Sequence, residues 1–168
     1  MVKLMKKIML IILILCILLT GCKLSDNENQ NKTGAYCTIS VNCSTVLAHM
    51  DELDNNLAEY IPKDGVILKE TKVEIYKDDS VYDVLKRILK KNEILMEASF
   101  TGDLAYVEGI NNLYEFSCGE LSGWMYCVNG EYPNVGCSSY KVKDGDKIEW
   151  NYTCNMGSDL GQEYGDKR

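Results

Sequence analysis

Histidine is nearly absent: His49 stands alone in 168 residues. A cysteine nucleophile relying on an imidazole base has no second candidate partner, and a paired-histidine zinc motif is excluded. His49 itself, with no second histidine or cysteine trio nearby, reads as a surface or capping residue. No glycine-rich phosphate cradle occurs, and in Gly119-Glu120-Leu121-Ser122-Gly123 the serine is one place off the nucleophile-elbow pattern. No two of the six cysteines from Cys37 onward have the two-residue spacing of a zinc knuckle or a thioredoxin-like pair. Asp144 and Asp146 flank Gly145, but Lys147 follows and the other carboxylates of a calcium loop are missing, so this segment reads as a solvated turn. Only two prolines and 13 glycines argue against a collagen-like or low-complexity chain. Positive charge is also short, with 18 Lys and Arg against 25 Asp and Glu, a net −7 that phosphate backbones would repel. The expectation is a protein that is not an enzyme, holds no metal or cofactor and binds no nucleic acid.

What is present begins with an export signal. Lys3, Lys6 and Lys7 precede an apolar run at 8–19, too short to span a bilayer comfortably but suited to a secretory signal. The junction Leu19-Thr20-Gly21-Cys22 resembles the bacterial lipobox, which makes Cys22 the expected lipid anchor, acylated at the start of the mature chain and held in membrane lipid. Removing 1–21 takes three lysines and no acid, lowering −7 to −10. Residues 22–35 read as a flexible tether, because KLSDNENQNKTGA has one leucine and no aromatic to offset its ordering entropy. As a coil this stretch spans on the order of 20 Å. The expected location is extracytoplasmic, lipid-anchored to the bacterial cell membrane.

Export agrees with the cysteine arithmetic. Cys16 leaves with the signal and Cys22 goes to lipid, leaving Cys37, Cys43, Cys118, Cys127, Cys137 and Cys154 as disulfide candidates. Six allow 15 pairings, and spacing selects none. Cys37 and Cys43 lie six apart on one expected strand, too far to join each other, so each is expected to bond a cysteine from 118 onward.

Thr38, Ser40 and Asn42 alternate with Ile39, Val41 and Cys43, the period-two pattern of a strand with one buried face. From Ser44, apolar Val46, Leu47, Met50, Leu53, Leu57 and Ile61 recur at helical spacing until Pro62 and Gly65, predicting a helix. Residues 66–77 read as one or two strands. Ser80 and Asp83 then form a capping-box pattern, opening a second helix with the stripe Val81, Val84, Leu85, Ile88, Leu89. Its Lys86, Arg87, Lys90 and Lys91 read as solvated surface. Further strands are expected at 95–100, 105–110, 124–128 and 148–152, with tight turns at Asp64-Gly65, Asn129-Gly130 and Asp144-Gly145. The predicted organisation is a strand-helix extension at 36–69, a main domain at 70–154 and a polar tail at 155–168.

The run Gly123-Trp124-Met125-Tyr126-Cys127-Val128-Asn129-Gly130, followed by Gly136, Tyr140 and Lys143-Asp144-Gly145-Asp146-Lys147-Ile148-Glu149-Trp150, resembles the transcobalamin-like C-terminal domain family over about 70–154. The resemblance implies an α+β fold: a β-grasp-like mixed sheet packed on one or two helices, here disulfide-stabilised. It also implies a small-molecule ligand, cobalamin or another corrinoid, which in the animal carriers is capped on one face by this domain while a helical domain holds the other. This chain has no room for that helical domain, so a second subunit or a transporter would have to close the far side. The ligand face is placed at Tyr114, Trp124, Tyr126 and Tyr132, where flat apolar contact and stacking are available; Trp124 and Tyr126 suit core and ligand face equally, and Trp150 and Tyr152 are assigned to the core. Two functions follow as expectations: a ligand-collecting lipoprotein that delivers to a transporter, or a structural or adhesive surface module that contacts another protein or a cell-wall polymer.

Overall fold

The computed structural model describes residues 32–162; the leader at 1–21, Cys22 and the tether as far as residue 31 lie outside the described residues, as do 163–168. The elements run β1 (Lys32–Asn42), β2 (Val66–Tyr76), α1 (Val81–Lys91), β3 (Met96–Thr101), β4 (Leu104–Ile110), β5 (Leu113–Tyr114), β6 (Gly123–Val128) and β7 (Lys147–Thr153). The fold is α+β. β1 and β2 form an antiparallel pair, and β1 lies parallel to β7, which pairs antiparallel with β6, giving the order β2-β1-β7-β6. This mixed sheet packed on one helix is the β-grasp arrangement. β3, β4 and β5 form a separate antiparallel sheet.

Alternation in β1 buries Cys37, Ile39 and Val41 on one face, and β7 adds Ile148, Trp150 and Tyr152. The amphipathic stripe of α1 joins the same core with Val81, Val84, Leu85, Ile88 and Leu89. The capping box is formed: the Ser80 hydroxyl accepts from the Asp83 N–H, and the Asp83 carboxylate accepts from the Ser80 N–H at 2.9 Å.

Four sequence expectations need correction. The helix expected over 44–61 is not formed. The chain makes 3-10 turns at Ser44–Ala48 and Ala58–Tyr60, and Leu53 pairs by backbone with Cys118 instead. The Asp54 side chain accepts from Asn56 N–H, a local turn that competes with helix, while Leu47 and Met50 stay exposed. The stretch read as tether ends earlier than 35, because Lys32–Ala35 already belong to β1. Arg87 is no solvated lysine-like charge: it makes two bonds to the buried Asp79, at 3.1 and 2.7 Å, donates to the Glu74 carbonyl and lies over the Tyr76 ring. Asp146 is buried, its carboxylate accepting from Asn129 Nδ2 and Lys143 N–H, so it fastens the 143–147 turn to the β6 hairpin.

Candidate functional site

A cavity of about 400 Å³ lies where β4 of the small sheet faces β6 of the large one. Ala105, Tyr106 and Val107 supply one wall and Trp124, Met125 and Tyr126 another; Trp150 of β7, the segment from Tyr132 to Cys137 and Gln162 complete it. Its volume is within the range of small-molecule sites. No lysine, arginine, aspartate or glutamate lines it.

The walls are held by ordinary backbone logic. After β6, Asn129 and Gly130 adopt positive φ values of 55° and 82°, the turn that asparagine-glycine favours, and Val128 and Glu131 exchange backbone bonds across it. The chain then crosses to α1, where the Cys137 and Tyr140 carbonyls accept from the Tyr82 and Val81 N–H groups. These donors belong to the first helical turn and have no partner within the helix. The 133–137 wall is thereby fixed to the start of α1. Tyr126 reaches the same wall, its hydroxyl donating to the Val135 carbonyl at 2.6 Å.

The aromatic rings form a connected group. Tyr126 lies 5.6 Å from Trp150 at 34° and 6.4 Å from Tyr140 at 76°, and Trp124 meets Tyr152 edge-on at 5.2 Å. Trp124 Nε1 donates to the Leu113 carbonyl, which fixes that indole. Trp150 Nε1 is buried and has no hydrogen-bond partner among the described residues. An unpaired buried donor costs on the order of 1–3 kcal/mol, so its occurrence in a cavity-lining residue is informative. The phenols stay neutral across the physiological range. Burial pushes Tyr126 up to about 12, and burial with the Glu115 carboxylate beside it does the same to Tyr106. Burial also raises Tyr132, whose hydroxyl accepts from Asn151 Nδ2. The cavity is thus an uncharged, aromatic surface with a few fixed polar atoms.

Three of the four proposed ligand-face residues, Trp124, Tyr126 and Tyr132, meet here. Tyr114 does not. It sits on β5 against Gly109, where a Cβ would come within 2.5 Å of its ring, and its carbonyl accepts from the Tyr152 hydroxyl. Tyr106 and Trp150 line the cavity although the sequence assigned the first no role and the second to the core. Trp150 does both, being 2% exposed and still part of the lining. A smaller cavity of about 250 Å³ shares Tyr106, Trp124 and Met125 and is bordered by Phe116, Leu121, Ser122, Thr153 and Met156. Among the described residues no cluster of three His, Cys, Asp or Glu side chains is placed to hold a metal ion. His49 pairs with Glu52 at 3.0 Å and lines neither cavity.

No curated protein matches the chain. Among solved structures, it is similar to haptocorrin in complex with Cbi, at 18% identity and TM-score 0.47, over 72% of this chain and 26% of that one. It is also similar to a candidate metal binding protein from Ruminococcus gnavus, at 16% identity and TM-score 0.42, over 71% of this chain and 96% of that one. The chain therefore spans about a quarter of haptocorrin, and both likenesses are distant. Residues 78–154, which carry α1, both cavity walls and β7, match the family model described as a domain of unknown function, DUF4430.

Proposed function

We propose that this protein is a ligand-binding lipoprotein that takes a flat, uncharged, largely apolar molecule onto the Tyr106–Trp124–Tyr126–Trp150 cavity. The carrying observation is the chemistry of that cavity: five aromatic side chains, no charged lining residue and a buried indole donor without a partner among the described residues. Cobalamin is the first ligand to test: its methyl-bearing corrin macrocycle is the flat apolar part, and its amides and phosphate lie away from the aromatic walls in this reading. In this reading the cavity holds one face of such a ligand, and a second subunit or a transporter closes the other side. Cys22, acylated, anchors the protein outside the cytoplasmic membrane. The uncharged, aromatic lining supports binding of an apolar surface.

Both tryptophans of the chain line the cavity, so intrinsic fluorescence reports on it directly. Titrating the purified protein with cobalamin is expected to quench that fluorescence with a matching calorimetric heat. No response at millimolar ligand would remove the corrinoid reading. A second reading, an adhesive or structural module, rests on a different observation: Phe100, Leu104, Phe116 and Leu121 are exposed near the small sheet. Capture of a single wall polymer or envelope protein, abolished by Phe100→Ser and Leu104→Ser but not by Trp150→Phe, would favour it.

A further inference from the structure

The fold discriminates among the fifteen cysteine pairings. The sulfurs of Cys118 and Cys154 lie 3.4 Å apart, both buried, whereas no other sulfur–sulfur contact occurs among the described residues. Cys127 Sγ instead faces Glu149 and Cys137 Sγ faces the Ala105 carbonyl. The two close thiols are presented by fixed backbone. Cys118 follows β5, is bridged to Leu53, and its N–H donates to the Ser122 hydroxyl at 3.1 Å. Cys154 follows β7, and its N–H donates to the Asp159 carboxylate at 2.7 Å.

We propose that Cys118 and Cys154 form an intramolecular disulfide and that Cys37, Cys43, Cys127 and Cys137 remain thiols. The pairing independently expected for Cys37 and Cys43 with later cysteines finds no contact to support it. The oxidant is a small-molecule disulfide such as oxidised glutathione. One protein thiolate attacks a glutathione sulfur, expelling glutathione thiolate and leaving a mixed disulfide. The second protein thiolate then attacks the protein sulfur of that mixed disulfide and expels the other glutathione. Two protein protons leave, two electrons pass to the glutathione disulfide, and one S–S bond is exchanged for another. Burial raises both thiols, so exchange is slow in the folded chain and the finished bond is shielded.

The bond has a place in the architecture. The 116–122 loop supplies Phe116, Glu120, Leu121 and Ser122 to the smaller cavity, and the chain around Cys154 supplies Thr153 and Met156 opposite them. Cross-linking 118 to 154 therefore joins two walls of that cavity. Ser122 Oγ also lies within hydrogen-bond distance of the buried Tyr152 hydroxyl, at 2.9 Å, so the clamp extends to the ring against which Trp124 packs.

The test is disulfide mapping of the full chain after equilibration with oxidised glutathione, alkylation in denaturant and proteolysis. The expected result is one internal link joining the Cys118 and Cys154 peptides, with Cys37, Cys43, Cys127 and Cys137 alkylated. Alkylation of both Cys118 and Cys154, or either one linked to another cysteine, would overturn the proposal. Thermal unfolding gives a second readout: oxidation is expected to raise Tm by roughly 10 °C. That rise should persist in Cys127→Ser and Cys137→Ser and vanish in the Cys118→Ser/Cys154→Ser double variant. A rise retained by the double variant would overturn the assignment. Ligand binding enters none of these measurements.

Discussion

Replacing Arg87 with methionine isolates an interaction that the sequence disguises as surface charge. Arg87 makes two bonds to the Asp79 carboxylate, at 3.1 and 2.7 Å, and a third to the Glu74 carbonyl at 2.9 Å, joining α1, β2 and the turn between them. Asp79 is 7% exposed and also accepts from the Tyr76 N–H, while its own carbonyl accepts from Val142 N–H at the base of the cavity loop. Methionine keeps most of the packing over Tyr76 but leaves the buried carboxylate without its cation. Breaking a buried pair from one side costs about 3–5 kcal/mol. The partial exposure of Arg87, 22%, places the expectation at the lower end, about 3 kcal/mol. With a urea slope of about 1–3 kcal/mol/M, the denaturation midpoint should fall by more than about 1 M. Lys90→Met, exposed in the last turn of α1, should cost less than about 1 kcal/mol. Asp79→Asn combined with Arg87→Met should recover part of the loss, because no buried charge is then stranded. An Arg87→Met loss below about 1 kcal/mol, equal to that of Lys90→Met, would refute the reasoning.

Ser80→Ala removes the capping box and should cost about 1 kcal/mol in urea unfolding, with helix content retained by circular dichroism. Gly65→Ala should prevent accumulation of folded protein, because Gly65 has φ +69° and a Cβ there would lie 2.4 Å from Ser44 Cα; a normal unfolding midpoint would contradict this. Alkaline pH should destabilise the reduced protein. Tyr106 and Tyr126 are raised from 10 to about 12 and Cys37 and Cys127 from 9 to about 11, so the folded state holds protons that the unfolded state releases. Their contribution is full below pH 9 and is lost between pH 9 and 12, and stability measured against pH should decline across that window. Tyr126→Phe removes the bond to the Val135 carbonyl and should weaken cobalamin binding several-fold in the fluorescence titration while costing stability only about 1 kcal/mol.

Local signals were legible wherever one short segment carried its own explanation. The Ser80–Asp83 pair starts a helix because both orphan donors are satisfied within four residues, and the alternation in 147–153 follows from one buried sheet face. The 44–61 segment shows the opposite case. Its apolar spacing fits a helix, yet pairing of Leu53 with Cys118, 65 positions away, and the Asp54 turn decide the outcome. Arg87 and Asp146 looked solvated because their partners, Asp79 and Asn129, are set by tertiary packing rather than spacing. For the site, Trp124, Tyr126 and Tyr132 could be named from an aromatic cluster on one hairpin. Tyr106 could not, because it arrives from another sheet, and Trp150 was hidden by being core and cavity wall at once.

The two indole N–H resonances of the protein test the account most directly. Trp124 Nε1 is bonded to the Leu113 carbonyl at 2.8 Å, whereas Trp150 Nε1 has no partner among the described residues. In a nitrogen-proton correlation spectrum recorded during cobalamin titration, the Trp150 indole signal should move progressively and saturate, and the Trp124 signal should move less. Both indole signals remaining fixed at millimolar cobalamin would contradict a ligand site between β4 and β6.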